Sequence, residues 1–256
     1  MRSARSRLPL LETFPWRDGR LAARLFRATA PTPAAAASPL PAVLFIHGWQ
    51  GAQDANDVRL AALLRNEGHT CMTFDLAGHG RSEGDANRCT LADFRSQALA
   101  AYDHLASRLA GTTAGVCICG ASLGSYLALL VSAARPVRAL SLRVPANYPD
   151  EIMESQPLGA YVQSAAPRAW REQRRGSEGN AALTALAAFD GPVQIVAAGQ
   201  DETIPAPTLE NFVAAVAQAR LDFHLLAEAT HVLYSRATTR AESYRLVRHW
   251  LSTLPV

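Results

Sequence analysis

The amino-acid sequence predicts an α/β fold in which helices flank a mostly parallel central sheet. Short apolar runs with the length of buried strands alternate with longer amphipathic segments, which is typical of this class. The chain has 256 residues, of which 49% are hydrophobic, so it can bury a sizeable core. No internal repeat or long linker divides the sequence. We therefore expect residues 1–256 to form a single α/β domain.

The predicted elements follow one another in a simple order. A hairpin over residues 11–28 turns at Asp18-Gly19, and a connector rich in Pro and Ala covers residues 30–41. Strands are predicted at residues 42–46, 70–74, 115–119, 137–144, 192–198 and 222–226. Helices are predicted at residues 54–66, from Thr90 onward, and at residues 123–134, 208–219 and 238–251. This alternation predicts a sheet whose strands are joined by helical crossovers.

Residues 147–188 interrupt the alternation. Three prolines break the pattern, and the segment contains no buried strand. We expect it to form a small cap or lid over the carboxyl end of the sheet, where it would shape a substrate pocket. The apolar residues that could face a substrate there are Ile152, Met153, Leu158, Tyr161, Val162 and Trp170. The basic stretch that contains Arg168, Arg171, Arg174 and Arg175 is interpreted as a solvated helix face.

Charge and composition exclude several functional classes. The net charge of +3 is too small, and the basic residues are too scattered, for a nucleic-acid partner. No run of eighteen apolar residues predicts a membrane span, and the amino-terminal segment lacks a signal-peptide core, so a cytoplasmic location is expected. Four cysteines without C-x-x-C spacing predict free thiols and no metal site. We expect no cofactor, and the oligomeric state is not indicated.

Residues 120–124 match the pattern G-x-S-x-G, with Ser122 at its centre. An apolar strand precedes Ser122 and a helical pattern follows it, so this serine is expected on a sharp strand-to-helix turn that exposes a nucleophile. An ordinary helix cap is the alternative. A second match, residues 80–84 around Ser82, stands in a polar loop without a following helix. The context therefore selects Ser122 as the candidate nucleophile and makes Ser82 a loop residue.

A serine nucleophile needs a base, which in this architecture follows the serine at the carboxyl end of a strand. Three histidines follow Ser122 in the sequence. His224 falls inside a predicted strand and His249 inside the last predicted helix. His231 stands in the segment after the last predicted strand, where a general base is expected. His231 is therefore the candidate base.

The acid that orients the histidine is sought in the same way. Asp201 follows the next-to-last predicted strand, at the edge of the sheet where the other two residues are expected. Asp190 precedes that strand and Asp222 begins the last one, so both lie at the opposite edge. Asp201 is the candidate acid. Asp150, after an earlier strand, is the second candidate, and Glu202 beside Asp201 is not excluded by the sequence.

The tripeptide at residues 47–49, His-Gly-Trp, follows the first buried strand of the parallel sheet. A loop at this place can present a backbone N–H group toward the serine, and the N–H of Leu123 would supply a second donor. Together they would form an oxyanion hole. A plain turn at the end of the strand is the alternative interpretation.

Five motifs, in this order, resemble the α/β-hydrolase superfamily, especially its monoacylglycerol-lipase-like and serine-aminopeptidase-like branch. They are H-G-W at residues 47–49, D-L-A-G-H-G-R-S at 75–82, G-A-S-L-G at 120–124, D-E-T-I-P at 201–205 and A-T-H at 229–231. The resemblance implies that Ser122, Asp201 and His231 form a catalytic triad. It also implies that Trp49 and Leu123 donate the oxyanion N–H groups, and that the loop over 75–82 is structural.

These residues predict a serine hydrolase, most simply a carboxylesterase for small-molecule esters with short or medium acyl groups. In that reaction the serine forms an acyl-enzyme and the histidine shuttles its proton. A thioesterase or an amidase would use the same triad. A non-catalytic protein that holds a ligand on the same fold is the alternative from another class.

Overall fold

A central sheet of eight strands organises the residues that the computed structural model describes, 8–28, 39–51, 55–109 and 114–255. The strands are β1 (Leu10–Trp16), β2 (Gly19–Phe26), β3 (Ala42–Ile46), β4 (Cys71–Phe74), β5 (Val116–Ala121), β6 (Val137–Arg143), β7 (Val193–Gln200) and β8 (Leu221–Thr230). Their order across the sheet is β1-β2-β4-β3-β5-β6-β7-β8. Strands β3 to β8 are parallel, and the hairpin β1–β2 joins β4 antiparallel. The predicted fold class is confirmed.

Helices cover both faces of the sheet. They are α1 (Ala55–Asn66), α2 (Leu91–Leu109), α3 (Leu123–Ser132), α4 (Leu158–Val162), α5 (Ala166–Arg171), α6 (Ala181–Ala188), α7 (Ala206–Ala215) and α8 (Ala237–Thr253). Side chains of α1 and α8 pack in one apolar core, and those of α2, α3, α6 and α7 pack in another. None of the helices in the described ranges is long and apolar enough to cross a membrane.

Strand β3 shows how the sheet separates the two cores. Its five residues are all buried, as expected for a parallel strand covered on both faces. Leu44 and Ile46 belong to the core that α2 and α3 cover, whereas Val43 and Phe45 belong to the core under α1 and α8. Each such side chain contributes about 1.5–3 kcal/mol on burial. The alternation fixes the register of the strand, because a slip by one residue would exchange the two faces.

Local sequence signals set two of the element boundaries. The hairpin turns at Arg17-Asp18, one residue before the expected Asp18-Gly19, because Gly19 already pairs with Trp16. At the start of α2, the Thr90 hydroxyl accepts the N–H of Asp93 (3.2 Å), and the Asp93 carboxylate accepts the N–H of Thr90 (2.9 Å). This reciprocal pair is a capping box that satisfies two N–H groups at the helix terminus.

The last strand is longer than the sequence indicated. Residues 222–226 were the expected strand, but β8 continues to Thr230 because its far end pairs again with β7. Gln200 lies opposite Thr230, after an irregularity in the ladder between Ala198 and Gln200. His231 therefore follows a strand directly, rather than a loop. Helix α7 likewise occupies residues 206–215, not 208–219.

The segment over residues 147–188 joins β6 to β7 and contains no strand. It holds a short 3₁₀ turn (Asp150–Ile152) and helices α4, α5 and α6. Helix α6 packs against α3 and α7, in the layer that flanks the sheet. Ile152, Leu158 and Tyr161 are buried in the core that also contains side chains of α2, α3, α6 and α7.

Candidate active site

Ser122 stands on a strained turn between β5 and α3. Its backbone angles are φ 51° and ψ −114°, which a residue with a side chain rarely adopts. The flanking glycines make the turn possible. A Cβ atom on Gly124 would lie 1.9 Å from the carbonyl oxygen of Ile46, and one on Gly120 would lie 2.4 Å from the carbonyl oxygen of Gly124. The backbone therefore closes only with glycine at both positions, and the serine hydroxyl is left half-buried at the edge of the sheet.

The structure brings the three predicted triad residues together. His231 Nε2 lies 3.0 Å from Ser122 Oγ, and His231 Nδ1 lies 2.9 Å from Asp201 Oδ2. The pairing of Gln200 with Thr230 explains the second contact, since Asp201 and His231 are the next residues on the two strands. With Nδ1–H donating to the carboxylate, Nε2 is free to accept the serine proton.

Asp201 is held in place by its own loop. Its Oδ1 atom accepts the backbone N–H groups of Thr203 (2.9 Å) and Ile204 (2.8 Å), which leaves Oδ2 for the histidine. Its side chain is 7% exposed, so the interaction with His231 is shielded from solvent. The two alternative acids lie elsewhere. Asp150 accepts the N–H of Ala181 at the start of α6, and Glu202 is exposed.

The loop after β3 lies against the nucleophile. A Cβ atom on Gly48 would come 3.2 Å from the Cβ of Ser122, so a side chain at this position would crowd the serine. Trp49 packs edge-on against His79 and Phe94, which fixes the position of the loop residue expected to donate an N–H group. Leu123, the other expected donor, is fully buried at the first position of α3.

Two histidines for which the sequence alone indicated no role, His47 and His79, hold this loop in place. His47 Nε2 accepts the N–H of Leu76 (3.0 Å), and His79 Nε2 accepts the N–H of Gln50 (3.2 Å). Nδ1 of His79 lies 3.1 Å from the carbonyl oxygen of Ala77, so that nitrogen carries the proton. Desolvation by burial lowers the pKa of His79, which agrees with a neutral ring. Both histidines belong to the H-G and G-H-G motifs, which are the sequence signal that could have indicated their role in holding the loop.

Ser82 has a structural position, as its sequence context indicated. Its hydroxyl accepts the N–H of Ala22 (2.8 Å) and donates to the carbonyl oxygen of Asp75 (2.5 Å). It thereby ties the loop after β4 to the hairpin strand β2.

A cavity of about 180 Å³ opens beside Ser122. Its walls come from the loop after β3, the start of α1, the end of β6 and the turn after β8. The lining residues are His47, Gly48, Trp49, Gly51, Asp57, Ala121, Ser122, Arg143, Val144, His231, Val232, Leu233 and Tyr234. Residues 147–188, all of which are described, contribute nothing to this lining. The predicted role of residues 147–188 as a lid stays a prediction, and three of its apolar residues, Ile152, Leu158 and Tyr161, are buried in the core.

One arginine of the predicted basic stretch is not solvated. Arg171 is buried, lies over the Tyr148 ring at 5.1 Å, and donates to the carbonyl oxygens of Asn147 and Thr203, each at 3.4 Å. Thr203 belongs to the loop that holds the Asp201 carboxylate. Arg171 therefore connects helix α5 to the loop of the candidate acid, whereas Arg168 is exposed as expected.

The cysteines are unsuited to act as nucleophiles. All four are buried free thiols, and burial raises the pKa of Cys119 to about 12. A thiol with such a pKa stays protonated and unreactive near neutral pH. Within the described ranges, no group of three or more His, Cys, Asp or Glu side chains has an arrangement that could hold a metal ion.

Comparisons with known proteins agree with this architecture. An uncharacterised protein of Mycobacterium tuberculosis is 29% identical over 181 residues, which cover 70% of this chain and 59% of that protein. The human mitochondrial palmitoyl-protein thioesterase ABHD10 is 29% identical over 103 residues, which cover 40% of this chain and 32% of that protein. The match thus spans less than two thirds of the length of either relative.

Solved structures share the fold at low sequence identity. Est1E from Butyrivibrio proteoclasticus, in a structure with bound ferulic acid, superposes with a TM-score of 0.70 at 19% identity, covering 95% of this chain and 98% of that chain. Mouse alpha/beta hydrolase domain-containing protein 10 has a TM-score of 0.62 at 19% identity, with the same coverage. The model of the alpha/beta hydrolase family matches residues 43–242. The chain therefore belongs to the alpha/beta hydrolase family.

Proposed function

We propose that this protein is a serine hydrolase that cleaves carboxylic esters through an acyl-enzyme. The observation that carries the proposal is the continuous hydrogen-bonded chain from Ser122 Oγ through His231 to Asp201. Ser122 attacks the ester carbonyl while His231 takes its proton. His231 then protonates the leaving alcohol, and Asp201 holds the imidazole in the required tautomer. Water repeats the sequence to release the acid.

We assign the stabilisation of the negative charge on the carbonyl oxygen to two backbone N–H donors. One is the N–H of Leu123, the first residue of α3, and the other is the N–H of Trp49, in the loop where Gly48 lies close to the serine. Donors fixed in this way before the reaction stabilise the tetrahedral intermediate without reorganising. Removing one such donor typically lowers kcat by about 10²–10³-fold.

The size of the cavity supports short or medium acyl groups. Its volume of about 180 Å³ is below the range of roughly 300–1,000 Å³ found for sites that enclose drug-sized ligands. Apolar walls from Val144, Val232 and Leu233 suit an acyl chain. A long chain would extend beyond the cavity, and its outer methylenes would gain no burial there.

Thioester cleavage is the second candidate. It is favoured by the palmitoyl-protein thioesterases among the relatives, and it uses the same three residues. The small cavity argues for a short-chain thioester rather than a palmitoyl group.

The role of Asp201 provides the test of this mechanism. We expect Asp201→Asn to lower kcat on a short 4-nitrophenyl ester by about 10³–10⁴-fold, because the amide no longer holds the catalytic tautomer of His231. Asp150→Asn is the matched control, since Asp150 follows an earlier strand and contacts Ala181 instead. Steady-state kinetics with both variants measures the difference. A large loss of kcat in Asp150→Asn, with Asp201→Asn near wild type, would contradict the assignment.

A further inference from the structure

A residue with a buried guanidinium lines the cavity beside Ser122. Arg143 is the last residue of β6, and its side chain is fully buried although it lines the cavity. Its Nη1 atom donates to Asp57 Oδ1 (2.7 Å) and also contacts the Tyr234 hydroxyl. Its Nε atom donates to the carbonyl oxygen of Gly120 (3.3 Å). Asp57 and Tyr234 line the same cavity.

One nitrogen of this guanidinium is left over. Arg143 Nη2 is buried and has no hydrogen-bond partner in the described part of the chain. Buried polar groups nearly always have a hydrogen-bond partner. Leaving a charged donor unsatisfied costs more free energy than leaving a neutral one unsatisfied. The guanidinium that carries this nitrogen belongs to a residue that lines the cavity, which also contains the candidate nucleophile. A ligand oxygen that reached Nη2 from the cavity would satisfy it.

The local charge decides which kind of oxygen fits. Burial lowers the pKa of Arg143, but Asp57 and Tyr234 more than offset this, so the pKa stays above its usual value and the guanidinium is charged. Asp57, 6% exposed at its side chain, already neutralises that charge. A second carboxylate would leave one uncompensated negative charge in an apolar surrounding, which is costly. A neutral oxygen accepts the hydrogen bond without adding charge.

We propose that the cavity selects acyl groups that carry a neutral hydrogen-bond acceptor, a keto or hydroxyl oxygen, beyond the carbonyl that Ser122 attacks. Arg143 Nη2 is the group that recognises this oxygen. The inference rests on the proposed function and adds the substrate class to it. Plain alkyl esters leave Nη2 unsatisfied and are poorer substrates of the same site.

The test compares isosteric esters. The 4-nitrophenyl esters of 4-oxopentanoate and 5-oxohexanoate are measured beside those of pentanoate and hexanoate, and each kcat/KM is divided by the rate constant for alkaline hydrolysis. Each oxo ester is compared with the alkyl ester of the same chain length, which gives two oxo-to-alkyl ratios. For the wild type we expect the larger of these two ratios to be about tenfold, as for a hydrogen bond from a charged donor. A ratio of one or less for both pairs would overturn the proposal, and this result requires no variant.

Arg143→Lys separates recognition from packing. A lysine keeps the charge beside Asp57 but lacks the second nitrogen of the planar fork. We expect its oxo-to-alkyl ratio to fall to about one, whatever the change in the absolute rates of the variant. Arg171→Lys is the matched control, because Arg171 is also buried but does not line the cavity. Its ratio should equal that of the wild type, and an equal fall in both variants would contradict a specific role for Arg143.

Two further outcomes are distinguishable. Mono-4-nitrophenyl succinate replaces the keto methyl group by a carboxylate oxygen, so a preference for it over the 4-oxopentanoate would show that the cavity binds an anion and would overturn the neutral-oxygen proposal. If none of these esters is hydrolysed and a fluorophosphonate fails to label Ser122, the proposed function itself fails. Hydrolysis without an oxo preference refutes only the substrate class.

Discussion

At the scale of single residues, His79 links the protonation of a side chain to the shape of the candidate site. Its neutral ring donates from Nδ1 to Ala77 and accepts the Gln50 N–H at Nε2. Gln50 follows Trp49, the residue proposed to donate to the oxyanion. A proton on Nε2 would remove this acceptor, so the hydrogen bond from Gln50 forms only while the ring is neutral.

We predict that the stability of the protein falls as the pH drops below about 6.5, the value for an unperturbed histidine. Burial lowers the pKa of His79 and also that of His69 in the folded state, so the unfolded state binds protons more readily. The stability that these groups contribute is complete above the unfolded pKa. It is lost as the pH falls toward the folded pKa.

The measurement is the free energy of unfolding in urea at several pH values between about 5 and 8. We expect His79→Gln to have a shallower pH dependence than the wild type, because one of the two histidines with lowered pKa is removed. His249→Gln, at an exposed histidine of α8, is the control and should keep the wild-type slope. An unchanged slope in His79→Gln would show that His79 does not contribute.

The sequence could predict the candidate triad because each member stands beside a strand with a clear apolar pattern. It could not predict Arg143 as a cavity residue. Its position in the sequence resembles the end of a buried strand, and its partners Asp57 and Tyr234 lie 86 and 91 residues away along the chain. Such contacts depend on how α1 and the turn after β8 pack, which no local pattern encodes.

At the scale of secondary-structure elements, the contact between α3 and β3 sets the geometry of the nucleophile turn. The helix begins directly after Ser122, and Gly124 in its first turn lies against the carbonyl oxygen of Ile46 at the end of β3. Close approach of helix and strand therefore depends on the absence of a side chain at residue 124.

We predict that Gly124→Ala destabilises the protein by about 1–3 kcal/mol or more, the usual cost of overpacking a filled site. The added Cβ would lie 1.9 Å from the Ile46 oxygen, so α3 has to move and carry Ser122 with it. Gly176→Ala is the control, since an added Cβ there meets nothing within 4 Å and is expected to change stability by about 0.5 kcal/mol or less. Urea unfolding and ester hydrolysis of both variants measure the effect, and equal stability of the two would contradict this account of the turn.

The sequence predicted the existence and order of the elements better than their ends. The expected end of β8 at residue 226 was wrong, since residues 227–230 include polar and small side chains yet join the sheet through pairing with β7. Residues 181–188 were expected to belong to the insertion, but α6 is apolar enough to pack against α3 and α7. Both differences arise from tertiary pairing, which propensity does not describe.

At the scale of the whole molecule, the parallel sheet brings the candidate site together from three distant parts of the chain. The carboxyl ends of β5, β7 and β8 lie at one edge, and Ser122, Asp201 and His231 each directly follow one of these strands. This placement follows from the topology of parallel strands, and it is the reason that the sequence could locate the residues. The cavity walls could not be located in this way, because they combine loops from several crossovers.

The most direct test of the central claim is covalent labelling of the whole protein with a fluorophosphonate, followed by intact-mass measurement and peptide mapping. Such a probe reacts with a serine that an adjacent base activates. We predict a single adduct on Ser122 in the wild type and in Ser82→Ala, and no adduct in Ser122→Ala. An adduct that persists in Ser122→Ala, or that maps to Ser82, would contradict the assignment of Ser122 as the nucleophile.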